Sequence, residues 1–371
     1  MRAAAERVDW TQFGRLAARH RIEGLAHAAL AAAGVTAGGA VRDALRRTAM
    51  ETARTGLEMA AESSRLQGAL DQAGVTSLVL KGAALDILAW GRIGLKRAWD
   101  IDLLVTQTDA RRARAVLERE GYDIEGPPSN PHDTGSATGF VLWIELAKEA
   151  VFRHADSGLV VELHWRLTDV ATLLPDLSAL SPAQAVRLSN TLSVRTLADG
   201  ELFAYLCVHG ASHAWSRLKW LADLGALLAR QDDAGREWLY RRAGELRAGN
   251  CPASALLLCN RLLDLPLPSV IASEILANRK AARLAAVAIR AMAGDGATEI
   301  MARPLAAERI LLSHFLFADG WPFRVAEWRR QWISVDDHLR LRLPPPLVIL
   351  YGPLRAPLWI WRRLRRLFRR P

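Results

Sequence analysis

"VLKGAALDILAWGRIGLKRAWDIDLLV", Val79 to Val105, sets two carboxylates, Asp100 and Asp102, inside a run that otherwise reads as a buried strand. A buried carboxylate is costly unless a cation or a hydrogen-bond donor accompanies it. In a strand, residues i and i+2 share a face, so Asp100 and Asp102 project together while Ile101 and Leu103 turn to the core. Adjacent carboxylates raise one another's pKa and are stable as anions mainly when a cation bridges them. Hard oxygen donors suit Mg²⁺, which completes its shell with water and substrate phosphates.

A third carboxylate stands in the same kind of setting: Glu162, within the β-type run "LVVELHW" (Leu159–Trp165). If that strand lies beside Ile101–Val105, three acids converge on one spot. Two metal ions there could activate an acceptor oxygen and stabilise leaving pyrophosphate. A bare Asp-x-Asp is short and frequent, and taken alone it reads as the start of a strand, with Glu162 facing solvent on an edge. Arg97, three residues before Asp100, could bind phosphate, pair with Asp100, or do both. Lys81 could be no more than a solvated strand end.

Around this centre the chain is long and rich in helix formers. Its 371 residues are 51% hydrophobic, which predicts a folded chain of two or three packed units. The N-terminus shows no signal-peptide core, and no stretch is apolar enough over ~20 residues to span a membrane. Cys207, Cys251 and Cys259 form no CxxC pair, which argues against structural zinc and disulfides and suits a reducing cytoplasm. Of the net charge of +10, six come from the arginines between Arg362 and Arg370, so the tail needs its own explanation.

Residues 1–72 read as a helical N-terminal segment. Thr76–Leu80 and Ile101–Val105 read as strands, Ala83–Trp90 as a short helix, and Thr108–Glu120 as a helix stopped by Gly121. Phe140–Leu146 is predicted to be a strand. Ala150–His154 and Leu159–Trp165 should form a hairpin turning at Asp156-Ser157-Gly158, and Gly126–Gly139 a loop. After Pro175 the pattern is helical almost to the end, most clearly over Leu202–Arg230. Pro344-Pro345-Pro346 precedes the last segment.

Four motifs, in order, carry a resemblance: "LVLKGAAL" (Leu78–Leu85), "RAWDIDLLV" (Arg97–Val105), "VVELHWRL" (Val160–Leu167) and "HGASHAWSRLKWLADLGALL" (His209–Leu228). With them the chain resembles the polymerase-β-like nucleotidyltransferases, in particular an uncharacterised branch that begins with Leu-Lys-Gly. The likeness covers most of residues 1–230. It implies an α+β fold, in which a catalytic domain with a small mixed sheet is flanked by an N-terminal helical segment and a C-terminal helical domain. The expected boundaries are 1–72, 73–172, 173–343 and a basic tail at 344–371.

The resemblance also implies NTP as substrate and Mg²⁺ or Mn²⁺ as cofactor. Asp100, Asp102 and Glu162 would be metal ligands and catalytic residues, and Gly82 would let the backbone approach the triphosphate. Lys81, Arg97 and Lys219 are candidate nucleotide contacts. The wider superfamily places Gly-Ser or Gly-Gly where this chain has Lys81-Gly82-Ala83, which removes a phosphate-binding hydroxyl.

His164 shares the strand face of Glu162 and could support the metal site or the acceptor. His209 and His213, at i and i+4, read as a metal pair or as packed core histidines. Lys219 and Asp223, also i and i+4, could pair on the surface, or Lys219 could reach phosphate. No Gly-x-Ser-x-Gly elbow or Walker A loop is present.

Placed on a helix, the 357–371 tail gathers Ile360, Trp361, Leu364, Leu367 and Phe368 on one side and arginines on the other. That pattern suits an anionic membrane surface, docking on the protein, or nucleic acid. The expected activity is transfer of NMP from NTP to an acceptor oxygen on a small molecule, sugar or peptide, with a nucleic-acid or protein acceptor left open. The alternative is a non-catalytic NTP-binding or partner-binding protein.

Overall fold

Alternation along two neighbouring strands divides the protein's interior in two. The computed structural model describes residues 8–35, 38–125, 137–293 and 304–332, with seven further positions between Leu347 and Trp361. Within it, β2 (Asp100–Val105) and β5 (Val160–His164) run parallel at the centre of a five-stranded sheet. Ile101, Leu103 and Val105 of β2 and Val161 and Leu163 of β5 enter one core. Leu66 and Leu70 of α3 (Gly39–Gln72) and Val116 and Leu117 of α5 (Ala110–Arg119) cover them. Leu104 turns the other way, into a second core built with Tyr205, Leu206 and Val208 of α7 (Asp199–Ser212). Strand period two therefore puts Asp100, Asp102, Glu162 and His164 on the face turned toward the later helices.

The strand order is β1-β2-β5-β4-β3. β1 (Ser77–Val79) is antiparallel to β2; β4 (Glu149–His154) and β3 (Tyr122–Glu125) continue antiparallel beyond β5. This is the small mixed sheet the sequence predicts, including its β4–β5 hairpin. Before it come α1 (Trp10–His20), α2 (Glu23–Ala32) and α3; between β1 and β2 lies α4 (Ala83–Trp90).

Three expectations change. Phe140–Leu146 is not a strand but most of α6 (Ala137–Leu146). Its Phe140 and Ile144 are both buried at i, i+4 spacing, and Trp165 Nε1 donates to Ile144 O and Ala147 O across 3.0 and 2.7 Å. Packing on Trp165 outweighs the β-propensity of "FVLWI".

Second, the region after Pro175 is not all helix. β6 (Ala183–Arg187) and β7 (Ser193–Leu197) form a two-stranded sheet, tied to α3 and β1 through the Gln67 amide, which bonds Ser77 O and Arg195 N. An Ala- and Arg-containing strand with only Val186 buried gives little sequence signal.

Third, Leu202–Arg230 is two helices, α7 and α8 (Leu218–Ala229), separated where Ala214 and Trp215 both take φ of 48°. The Trp215 ring fills the space over Gly210, where a Cβ would lie 2.4 Å from it. That break sets the end of α7 and the start of α8 side by side.

The remaining helices are α9 (Asp233–Glu245), α10 (Cys251–Leu263), α11 (Ala272–Ala277), α12 (Arg279–Met292), α13 (Pro304–Ser313) and α14 (Trp321–Trp332). All three cysteines are buried and free. Among the described residues no helix is long and apolar enough to cross a membrane. Most of the expected loop over 126–139, Pro344-Pro345-Pro346 and nearly all of the basic tail lie outside the described residues.

The segment from Gly91 to Trp99 is pinned between helices. Gly94, at φ 83°, passes so close to α3 that a Cβ would sit 2.5 Å from Ala53 Cα. Lys96 then inserts its ammonium between Asp86 of α4 and Asp223 of α8, at 2.7 and 2.6 Å. Trp90 Nε1 also donates to Asp223 Oδ1 at 2.9 Å. Asp223 is thus a buried partner of Lys96 rather than a surface partner of Lys219. Removing the cation would strand two buried carboxylates, so Lys96→Met should destabilise the protein by about 3–5 kcal/mol in urea titration. Adding Asp86→Asn and Asp223→Asn should restore much of that loss.

Candidate active site

The sheet register performs the convergence that the sequence only suggests. Asp102 pairs directly with Glu162, and Leu104 with His164, across parallel strands. Ligand atoms of Asp102, Glu162 and His164 lie within 4.8 Å of one another, a grouping able to hold a metal ion. Asp100, two residues earlier on the same face, extends the acidic row and feels the charges of Asp102 and Glu162.

The buried Asp102 carboxylate is matched by two cations. Lys81 Nζ lies 2.9 Å from Asp102 Oδ1, and His164 Nε2 lies 3.1 Å from the same oxygen. Burial alone would raise the Asp102 pKa, but Lys81 and His164 hold it well below the usual carboxylate range. Asp100 has no such escort. Burial first, then the Asp102 charge, push it up to about 6 against the pull of Lys81. Lys81 is therefore more than a solvated strand end.

His164 sits among three carboxylates. Its Nε2 is 3.5 Å from Glu162 Oε2, and its Nδ1 is 3.0 Å from Glu149 Oε2 as an ion pair rather than an aligned hydrogen bond. Burial opposes its charge, yet the carboxylates of Asp102, Glu149 and Glu162 outweigh burial and carry the imidazole pKa to about 10. Glu149, paired as well with Lys148, was not apparent from sequence because only its strand neighbour His164 gives it a role.

Asp100 and Asp102 open onto a cleft of about 880 Å³, counted out to its mouth, lined also by Lys81, Gly82, Lys96, Arg97, His209, Lys219 and Trp220 among others. Gly82 caps α4 at φ 62°, ψ −129°, a conformation that essentially only glycine adopts, with no atom within 4 Å of a would-be Cβ. The backbone at the start of α4 is therefore open to a ligand, and a helix N-terminus suits phosphate. Lys219 Nζ bonds the Arg97 carbonyl at 3.3 Å. Burial first, then the charges of Arg21 and Lys96, lower its pKa to about 8 while Asp100 opposes them. Arg97 does not reach Asp100 for an ion pair; its partner is the buried Glu23 of α2, at 3.6 Å.

His209 and His213 stand at the end of α7 against Trp220, with His213 stacked on the indole at 5.0 Å between centroids. Burial and the nearby Lys81 charge lower both, His213 to about 4, so they are neutral. They belong to no three-ligand grouping among the described residues. Both line a second, open cavity of about 840 Å³, again counted out to its mouth, whose far wall comes from His314, Phe317, Glu327 and Arg330, and His209 lines both spaces.

The donor set fits a divalent cation: aligned carboxylates crowd together, and without a metal they depend on Lys81 and His164 for neutralisation. The raised folded pKa of His164 has a consequence for stability. An unfolded histidine titrates near 6.5, so this contribution is complete below pH 6.5 and declines as pH rises toward about 10. Chemical denaturation in EDTA should show stability falling across that window, and His164→Gln should flatten the slope.

Comparison with known sequences bears on these residues directly. No curated protein matches the chain. A family model described as "Uncharacterised nucleotidyltransferase" matches residues 6–264, from the N-terminal helices through α10, with every acid of the cleft inside it. The chain belongs to that nucleotidyltransferase family.

Proposed function

We propose that the protein transfers a nucleoside monophosphate from an NTP to an acceptor oxygen, with release of pyrophosphate. The observation that carries this reading is the register match of Asp102 with Glu162 beside a cleft that Lys81, Arg97 and Lys219 also line. Asp100, Asp102 and Glu162 would hold the metal; a divalent cation there, Mg²⁺ or Mn²⁺, would neutralise charge on the α-phosphate and on leaving pyrophosphate.

The remaining roles fall to the chain itself. The open backbone at Gly82 and the ammonium of Lys219 receive the triphosphate, and Arg97 adds charge at the rim. Lys81 can leave Asp102 for a phosphate oxygen when the carboxylate gains another counter-ion, which compensates for the missing hydroxyl of a Gly-Ser pair. The acceptor oxygen attacks the α-phosphorus in line, its P–O bond forms as the α–β bridge breaks, and Glu162 takes the acceptor's proton. His164, fixed between Asp102 and Glu149, orients the carboxylates. The acceptor has room on the far side of His209, in the second cavity. Sugars, peptides and small molecules are the acceptor classes in view.

One observation favours a second reading, an NTP-binding protein without turnover: Lys81 and His164 already satisfy Asp102 without a metal. Pyrophosphate release from each NTP with Mg²⁺ or Mn²⁺ across candidate acceptors separates the two. Asp102→Asn should lower release by at least about a hundredfold with the fold retained. Equal release by both proteins would overturn the metal assignment. Metal-dependent NTP binding with no release in either would favour the second reading.

A further inference from the structure

Immediately before Asp100 stands Trp99, 56% exposed. Its neighbours Ala98 and Asp100 both line the cleft, as does Arg97. Two guanidinium groups approach its ring: Arg21 at 5.3 Å and Arg97 at 5.8 Å from the centroid.

The arrangement is rigidly built. Arg21 follows α1 in a left-handed conformation, φ 56°, with its backbone N–H closing that helix. Two residues later, Glu23 is buried and holds Arg97. Gly24 packs against the Trp99 segment so tightly that a Cβ would lie 2.5 Å from Leu95 O. The turn between α1 and α2 is thereby locked to the residues leading into β2. With Lys219 close enough to Arg21 to feel its charge, the rim offers one aromatic face and three cations. A planar heterocycle joined to a polyanion can engage both together.

Resting on the nucleotidyltransferase reading, we infer that Trp99 is the platform on which the nucleobase of the NTP stacks, and that Arg21, delivered by the N-terminal helices, contacts its phosphates. The N-terminal helical segment is then part of the nucleotide site, not a mere flank. Stacking on an indole face is tolerant of base identity, so the platform gives affinity more than base selectivity.

The test measures binding of ATP and of inorganic tripolyphosphate, each with Mg²⁺, to the full chain by calorimetry. Trp99→Ala should weaken ATP by about tenfold and leave tripolyphosphate unchanged, whereas Trp99→Phe should keep most ATP affinity. Arg21→Gln should weaken both ligands. Unchanged ATP affinity in Trp99→Ala, or an equal loss for tripolyphosphate, overturns the platform while leaving the nucleotide reading intact. A wild-type protein that binds neither ligand overturns both. If Arg21→Gln binds both ligands as the wild type does, the phosphate role of Arg21 is overturned.

Discussion

Everything at the centre of this protein follows from one buried oxygen. Asp102 Oδ1 receives both the Lys81 ammonium and the His164 imidazole, at 2.9 and 3.1 Å. A lone carboxylate at that depth would protonate or destabilise the sheet. The two cations come from opposite directions: Lys81 from the end of the strand antiparallel to β2, His164 from the strand parallel to it. Keeping Asp102 charged therefore fixes the approach of three strands to one point. The same requirement makes the site responsive, because any further cation brought to Asp102 competes with Lys81 and His164 and releases them for other partners.

A second constraint lies in the nine residues between α4 and β2. Two buried anions need Lys96, and one buried anion, Glu23, needs Arg97. Those ion pairs draw in α4, α8 and α2 around a segment that leads straight to Asp100. The close crossing at Gly94 removes any slack. Helices from before and after the central strands are thus organised by the same short stretch that leads to the acids, and α4 and α8 form part of the cleft wall.

Much of this was legible along the chain. The strand around Asp100 and Asp102, the short helix at Ala83–Trp90 and the β4–β5 hairpin all have local patterns strong enough to survive folding. The family likeness rests on the same stretches. The misread elements share a cause, in that their local preference is overruled or feeble. "FVLWI" favours a strand until Trp165 offers a surface for Phe140 and Ile144 at helical spacing. The β6–β7 hairpin has a weak apolar alternation and is held by Gln67, more than a hundred residues upstream. The break between α7 and α8 comes from left-handed residues that are not glycine, stabilised by the fit of Trp215 over Gly210.

The sequence by itself determined which residues could do chemistry: paired carboxylates two apart in one strand, a third acid in another, and a glycine where the chain leaves a strand for a helix. Strand periodicity and the repulsion of like charges are local physics, so they can be read without a fold. Only the tertiary structure decided the partners. Register placed Glu162 opposite Asp102, brought His164 and Glu149 into the same network, and turned Lys81 onto Asp102. It also took Asp223 away from Lys219 and gave it to Lys96, and brought Arg21 to Trp99. Such pairings join positions far apart in the chain, and they depend on strand order and helix packing, which no local pattern encodes.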